Sequence, residues 1–236
     1  MGIVFIFPIF HLNRKIYNLN LKSKERVLYW LFIKKAKGGL FTYMNLKDKN
    51  IGFIFTGSFC TFSKTIEQLK KIVNEGANVI PIMSEHSYTM DTKFGKAEDF
   101  IKLIKEITGK DTIIHTIQEA EPIGPKHLTD IMVIAPASGN VIAKLANGIN
   151  DDASTMAVKS HLRNGNPVVV AISTNDAMSG SAENIGKLLN RRNYYFVPFR
   201  QDNPITKPAS LVFAPDLILS TIEKALDNEQ IQPVLV

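Results

Sequence analysis

The chain has 236 residues, enough for one domain with a full core and a short appendage. Its net charge of +6 is unevenly placed. Residues 1–43 hold eight basic residues against one acidic one (Glu25), and the rest carries −1, so the body offers no charge argument for nucleic acid. A single cysteine, Cys60, excludes an intramolecular disulfide framework and a cysteine metal cluster, and fits a cytoplasmic protein.

The basic leader has two apolar runs, residues 3–10 and 27–33, both too short to span a bilayer. Its positive charges follow the first run, and no small-residue cleavage site appears, so neither a secretory signal nor stable membrane insertion is expected. A basic amphipathic helix over 21–37 carrying Trp30 is one reading. The other is that residues 1–43 are a translated upstream leader. Lys37-Gly38-Gly39 is encodable as a purine run of the ribosome-binding type, Met44 follows closely, and the charge break falls there. Met44 is then the true start, and the intact mass of the native protein decides.

From residue 50 onward, short β-rich runs alternate with helical periodicity. Strands are expected at 51–56, 78–84, 112–117, 131–135, 167–173 and 194–198. Helices are expected at 62–75, 97–108, 153–163, 183–192 and 216–226, with Gly76, Gly109 and Asn164-Gly165 as stops. Residues 200–215 carry Pro204, Pro208 and Pro215, which argues for an irregular functional loop or an interface arm. The alternation predicts an α/β fold, doubly wound, with a mostly parallel six-stranded sheet covered by helices on both faces.

The chemistry gathers where strands run into helices. Thr56-Gly57-Ser58-Phe59-Cys60 is a short Gly/Ser turn suited to holding a phosphate through backbone N–H groups and the Ser58 hydroxyl. It matches neither the dinucleotide fingerprint nor a Walker loop. Cys60 falls in the following helical turn, where a small packed thiol is the expected role. Ser84 ends the second strand, with Glu85 and His86 in a solvent-facing loop, and His115 is expected inside the third strand. Ala135-Pro136-Ala137-Ser138-Gly139-Asn140, within a stretch that runs on to Asp151, then passes from strand directly into a helix. Ser138 and Asn140 supply a hydroxyl and an amide at unpaired helix-start N–H groups, which fits an anion or a cofactor, or a plain N-cap. Asn175, after the fifth strand, is a donor for a carboxylate or a cap for the next helix.

The segment Pro136-Ala137-Ser138-Gly139-Asn140, followed by Ala143-Lys144-x-Ala146-x-Gly148-Ile149, resembles the signature of the flavoprotein family that includes flavin-containing cysteine decarboxylases, phosphopantothenoylcysteine decarboxylase and flavin prenyltransferase. Gly139 departs from the alanine usual in the decarboxylases. The resemblance implies bound FMN, with Gly57 and Ser58 as the first phosphate loop and Ser84, Ser138 and Asn140 as further contacts. It also implies a substrate carboxylate at Asn175, through the spacing Asn175-x-x-Met178. The histidine used by the decarboxylases has no counterpart near Pro122, and their substrate-clamp cysteine is missing, so cysteine decarboxylation is not expected.

Residues 121–126, 172–177, 196–202 and 207–210 are similar to one branch of that family, the flavoprotein-like partners in a two-subunit synthase. The likeness runs through nearly all of the body and leaves out the leader. It implies a dehydrogenase-like partner carrying NAD(P), and formation of pyridine-2,6-dicarboxylate from a dihydrodipicolinate-pathway precursor in the mother cell of a sporulating bacterium. A homo-oligomer is expected by the same likeness. Arg200 and Lys207 are chemically suited to pair with a dicarboxylate, or are solvated surface residues. No side-chain constellation identifies a catalytic residue, and redox chemistry is left to a flavin or to the partner's nicotinamide. Two rivals stand beside this reading: a stand-alone FMN-dependent decarboxylase or prenyltransferase, and a non-catalytic accessory protein that keeps an old flavin pocket.

Overall fold

The computed structural model describes residues 46–236, and the expectation for residues 1–43, with Met44 as the start, lies outside the described residues. The strands are β1 (Asn50–Phe55), β2 (Asn78–Met83), β3 (Ile131–Ala137), β4 (Val168–Thr174), β5 (Tyr194–Phe196), β6 (Phe199–Asn203) and β7 (Lys207–Phe213). The helices are α1 (Phe62–Asn74), α2 (Glu85–Thr89), α3 (Ala97–Thr108), α4 (Ile117–Ala120), α5 (Gly139–Asn147), α6 (Ala153–Leu162), α7 (Ala182–Leu189) and α8 (Ile218–Leu226).

The strands form one seven-stranded sheet in the order β2-β1-β3-β4-β7-β6, with β5 also paired to β4. The first five strands are mutually parallel, whereas β7 runs antiparallel to both β4 and β6. Every residue of β3 is buried, as expected of a central parallel strand covered on both faces.

Alternation along the strands sorts side chains into two cores. Phe53, Phe55, Ile131 and Val133 pack on one side with Leu69 and Ile72 of α1, Ile104 of α3 and Ile222 of α8. Ile54, Met132, Ile134 and Val170 pack on the other with Ile142 and Leu145 of α5, Val158 of α6 and Leu188 of α7. Full burial of each such side chain contributes about 1.5–3 kcal/mol, so both helical layers are held chiefly by the sheet.

Several expectations are corrected. Residues 112–117 form no strand: one bridge joins Ile114 to Ile82, and the chain then turns into α4. A capping box drives that turn, with Thr116 accepting from the Glu119 N–H while Glu119 reaches back to the Thr116 N–H. His115 is therefore half-exposed and stacks on Tyr88 at 3.9 Å between ring centroids, rather than lying inside a strand.

The proline-rich segment 200–215 is largely a β-hairpin. Pro204 occupies its tip, where Asn203 Oδ1 accepts the N–H groups of Ile205 and Thr206. Pro208 sits where the β6–β7 register shifts, and Pro215 opens the turn before α8, so each proline lies where no ladder bond is needed. The hairpin brings the sheet to seven strands rather than six. Glu85 and His86 lie in the short helix α2 rather than in a loop, and both are exposed.

Candidate functional site

The strand order reverses between β1 and β3, because β2 lies on one side of β1 and β3 on the other. The crevice at the carboxyl ends of such strands is where open α/β sheets bind ligands. Here it is a cavity of about 870 Å³, lined by the loops after β1, β3 and β4 and walled by residues of the β6–β7 hairpin. Its size falls in the range of cofactor and small-molecule sites, about 300–1,000 Å³.

Thr56 ties the two central loops together. Its buried hydroxyl donates to the Pro136 carbonyl at 2.6 Å and accepts from the Ser138 N–H at 2.9 Å. Ser58 Oγ donates to the Ser173 carbonyl at 2.5 Å, which draws the β1 loop against the end of β4. The Ser58 proton is thus committed inside the protein. What this loop offers an anion is the N–H groups of Phe59 and Cys60 that open the helical turn, the Thr61 N–H being taken by the Ser58 carbonyl.

Ser138 is the N-cap of α5, accepting from the Val141 N–H at 3.5 Å. Asn140, in the first turn of α5, is exposed, and its amide has no hydrogen-bond partner among the described residues. Asn175 is likewise exposed on the cavity wall.

Between these amides lies a braced carboxylate. Asp176 accepts from Thr174 Oγ1, and Ser181 Oγ lies 3.0 Å from both of its oxygens. This cluster packs directly against Gly139. Its parts were present in the sequence, but only the chain reversal after β4 brings Ser181 back onto Asp176.

The structure gathers Gly57, Ser58, Ser138, Asn140 and Asn175 around one cavity. Ser84 does not join them. It is buried as the N-cap of α2, its hydroxyl 3.0 Å from that of Ser87, which in turn donates to the Phe55 carbonyl. Cys60 is exposed on the cavity wall rather than packed.

The cationic side chains also sort differently from expectation. Arg200 is exposed on β6, away from the cavity lining, and Lys207 lines the cavity but is bound to Asp202 at 2.6 Å. That ion pair raises the Lys207 pKa above the usual lysine value. Lys64 and Lys93, which sequence reasoning passed over, line the cavity as well. Nothing in their sequence neighbourhood marks them, since a lysine in a first helical turn or a surface loop is commonplace.

Known proteins share this outline. The model of the family described as Flavoprotein matches residues 42–225. The B subunit of dipicolinate synthase from Bacillus subtilis is 45% identical over 192 residues, covering 81% of this chain and 96% of that protein. The crystal structure of the dipicolinate synthase B subunit from Bacillus halodurans superposes with a TM-score of 0.75 at 46% identity, covering 82% of this chain and 98% of that one. A more distant structure, the FMN-dependent cysteine decarboxylase SpaF, shares the fold at 21% identity and a TM-score of 0.57, over 76% of this chain and 98% of its own. The chain belongs to the flavoprotein family, and along nearly the whole of its described domain it is similar to the dipicolinate synthase B subunits of that family.

Proposed function

We propose that this chain is the B subunit of a dipicolinate synthase. It acts with a dehydrogenase-like A subunit to form pyridine-2,6-dicarboxylate from a dihydrodipicolinate-pathway precursor, as an oxidoreductase-type activity of the pair during sporulation. The observation that carries this reading is identity of 45% spanning 96% of a dipicolinate synthase B subunit. The proposed location is the mother-cell cytoplasm; among the described residues no helix is long and apolar enough to cross a membrane.

The cavity suits a flavin mononucleotide by its own donor set. A phosphate accepts hydrogen bonds only, and the helical turn after Gly57 and Ser58 provides N–H donors for it. A Cβ built on Gly57 meets nothing within 4 Å, so the loop is open to a ligand. Asn140 and Asn175 supply amides for ring and substrate groups. Ser138 shapes the helix start, and Thr56 fixes its distance from the phosphate loop. When bound, the flavin supplies hydride or electron transfer, which no side chain here performs. NAD(P) belongs to the A subunit, and self-association follows the family pattern.

The test is a product assay on the full chain, alone and with its co-expressed A subunit, with the absorbance spectrum of each preparation recorded. Product from the pair alone, with a flavin spectrum on this chain, is the expected result. Product from the A subunit without this chain overturns the catalytic reading and leaves an accessory role. Product from this chain alone favours a stand-alone enzyme.

A further inference from the structure

The charges around the cavity do not cancel one another. Asp202 is paired with Lys207, whereas Asp176 accepts hydrogen bonds from the neutral hydroxyls of Thr174 and Ser181 and keeps one negative charge against two lysines. Lys64 and Lys93 have no carboxylate partner among the described residues, although both line the cavity. The two cations reach it from different elements. Lys64 stands in the first turn of α1, next to the phosphate loop, and Lys93 stands in the turn between α2 and α3.

That turn is built to hold its position. Thr92 and Gly95 exchange backbone hydrogen bonds at 3.0 and 3.1 Å, the Phe94 N–H donates to Thr92 Oγ1, and Asp91 caps the start of α3 through the Ala97 N–H. Gly95 has φ +146°, and a Cβ there would lie 2.9 Å from the Phe100 ring, so only glycine closes the turn without displacing that ring. At the tip, Lys93 and Phe94 both line the cavity. The ammonium lies 5.3 Å from the ring centroid, a contact that leaves its N–H donors available. Phe94 is 48% exposed, so its ring is accessible from the cavity.

We infer that Lys64, Lys93 and Phe94 form a subsite for a planar aromatic carboxylate, with the two ammonium groups pairing with carboxylates and the ring covering an apolar face. This assignment replaces Arg200 and Lys207, the first outside the cavity and the second held by Asp202. Its ligand, pyridine-2,6-dicarboxylate or its immediate precursor, rests on the function proposed above. The same cations are chemically able to pair with the phosphate of a flavin, and the test separates the two anions.

Cys60 is the native reporter, because it is the only cysteine of the chain and lies exposed in the same cavity. The full-length protein is titrated with pyridine-2,6-dicarboxylate and, separately, with flavin mononucleotide. Binding is followed by calorimetry and by the rate at which iodoacetamide alkylates Cys60. The dicarboxylate is expected to bind, to slow alkylation and to bind more weakly as salt rises. The Lys64→Ala, Lys93→Ala double variant is expected to lose about a hundredfold in dicarboxylate affinity, about tenfold for each of the two charge-assisted contacts, with flavin affinity held within about twofold.

The single variant Lys93→Gln, at an exposed turn tip, is expected to weaken the dicarboxylate in the same direction if the double variant does not fold. Unchanged dicarboxylate affinity in the variants, or no binding to the wild type, overturns the subsite. An equal or larger loss in flavin affinity also overturns it and assigns the lysines to the flavin phosphate. If the wild-type pair makes no product while the dicarboxylate still binds through these lysines, the proposed function fails and the subsite stands.

Discussion

Gly139 and Thr174 compete for one space: a Cβ added to Gly139 would lie 2.8 Å from Thr174 Oγ1, and within 3.0 Å of Ser181 Oγ and Asp176 Oδ1. The glycine that departs from the decarboxylase signature is thereby explained by its neighbours across the cavity. The Thr174–Asp176–Ser181 cluster occupies the volume an alanine methyl would need, so the glycine and the cluster belong together.

Gly139→Ala is expected to destabilise the protein by up to about 2 kcal/mol, the roughly 1–3 kcal/mol of overpacking less the roughly 1 kcal/mol by which alanine favours a helix. In a Thr174→Ala background the cost is expected to shrink, giving a coupling of about 0.5–3 kcal/mol in a double-mutant cycle read by urea unfolding. Strictly additive effects would show that the two residues do not share the space.

Thr56 makes a more general prediction about the site. Thr56→Val removes the hydroxyl while keeping the shape, leaving the Pro136 carbonyl and the Ser138 N–H without their partner. A loss of about 2–4 kcal/mol is expected, with flavin affinity falling as the loops separate. Thr56→Ser retains the hydroxyl and is expected to recover most of both; chemical denaturation and flavin titration of the two variants decide the point.

The two neighbouring polar residues at the start of α5 are expected to behave differently. Ser138→Ala removes the N-cap and lowers stability by about 0.5–2 kcal/mol. Asn140→Ala breaks no hydrogen bond among the described residues, so its melting temperature stays near wild type while flavin affinity drops about tenfold, one hydrogen bond's worth. A stability loss at Asn140 as large as that at Ser138 would contradict this division.

His161 sets an acid limit on stability. It is buried, its Nε2 lies 3.0 Å from the Pro167 carbonyl and must donate to it, and its Nδ1 therefore accepts from Thr129 Oγ1 at 2.7 Å. Burial lowers its pKa below the usual 6.5, outweighing the Pro167 carbonyl and Asp130, both of which favour the charged ring. Below the unfolded value the unfolded chain binds the extra proton and the folded one resists it. Stability from this group is accordingly full above about pH 6.5 and declines as pH falls toward the folded pKa. His161→Gln is expected to flatten this part of the pH–stability curve and to cost about 1–3 kcal/mol at pH 7.5. A curve of unchanged slope would assign the acid sensitivity elsewhere.

The sequence by itself determined the alternating elements, the mostly parallel sheet and the position of the crevice at the strand ends, since those follow from local rules. Apolar periodicity separates Phe62–Asn74 and Ala97–Thr108 from the buried runs of β1 and β3. Ser138 and Asn140 were legible because a strand passing directly into a helix leaves N–H groups that such residues accompany. The failed third strand was legible in principle too, in the capping spacing Thr116-x-x-Glu119, but strand propensity over 112–117 masked it.

Only the tertiary structure decided which side chains face one another. The hairpin depends on Ser173 and Thr174 of β4 pairing with Val212 and Leu211 of β7, a contact between distant residues that no local pattern records. Burial turned Ser84 inward, and pairing with Asp202 engaged Lys207, while Lys64 and Lys93 were left without a counter-charge among the described residues. Composition counts charges but cannot say which are neutralised, because an ion pair is a property of distance. Chain folding sets those distances, and with them the unpaired charge that the cavity presents to a ligand.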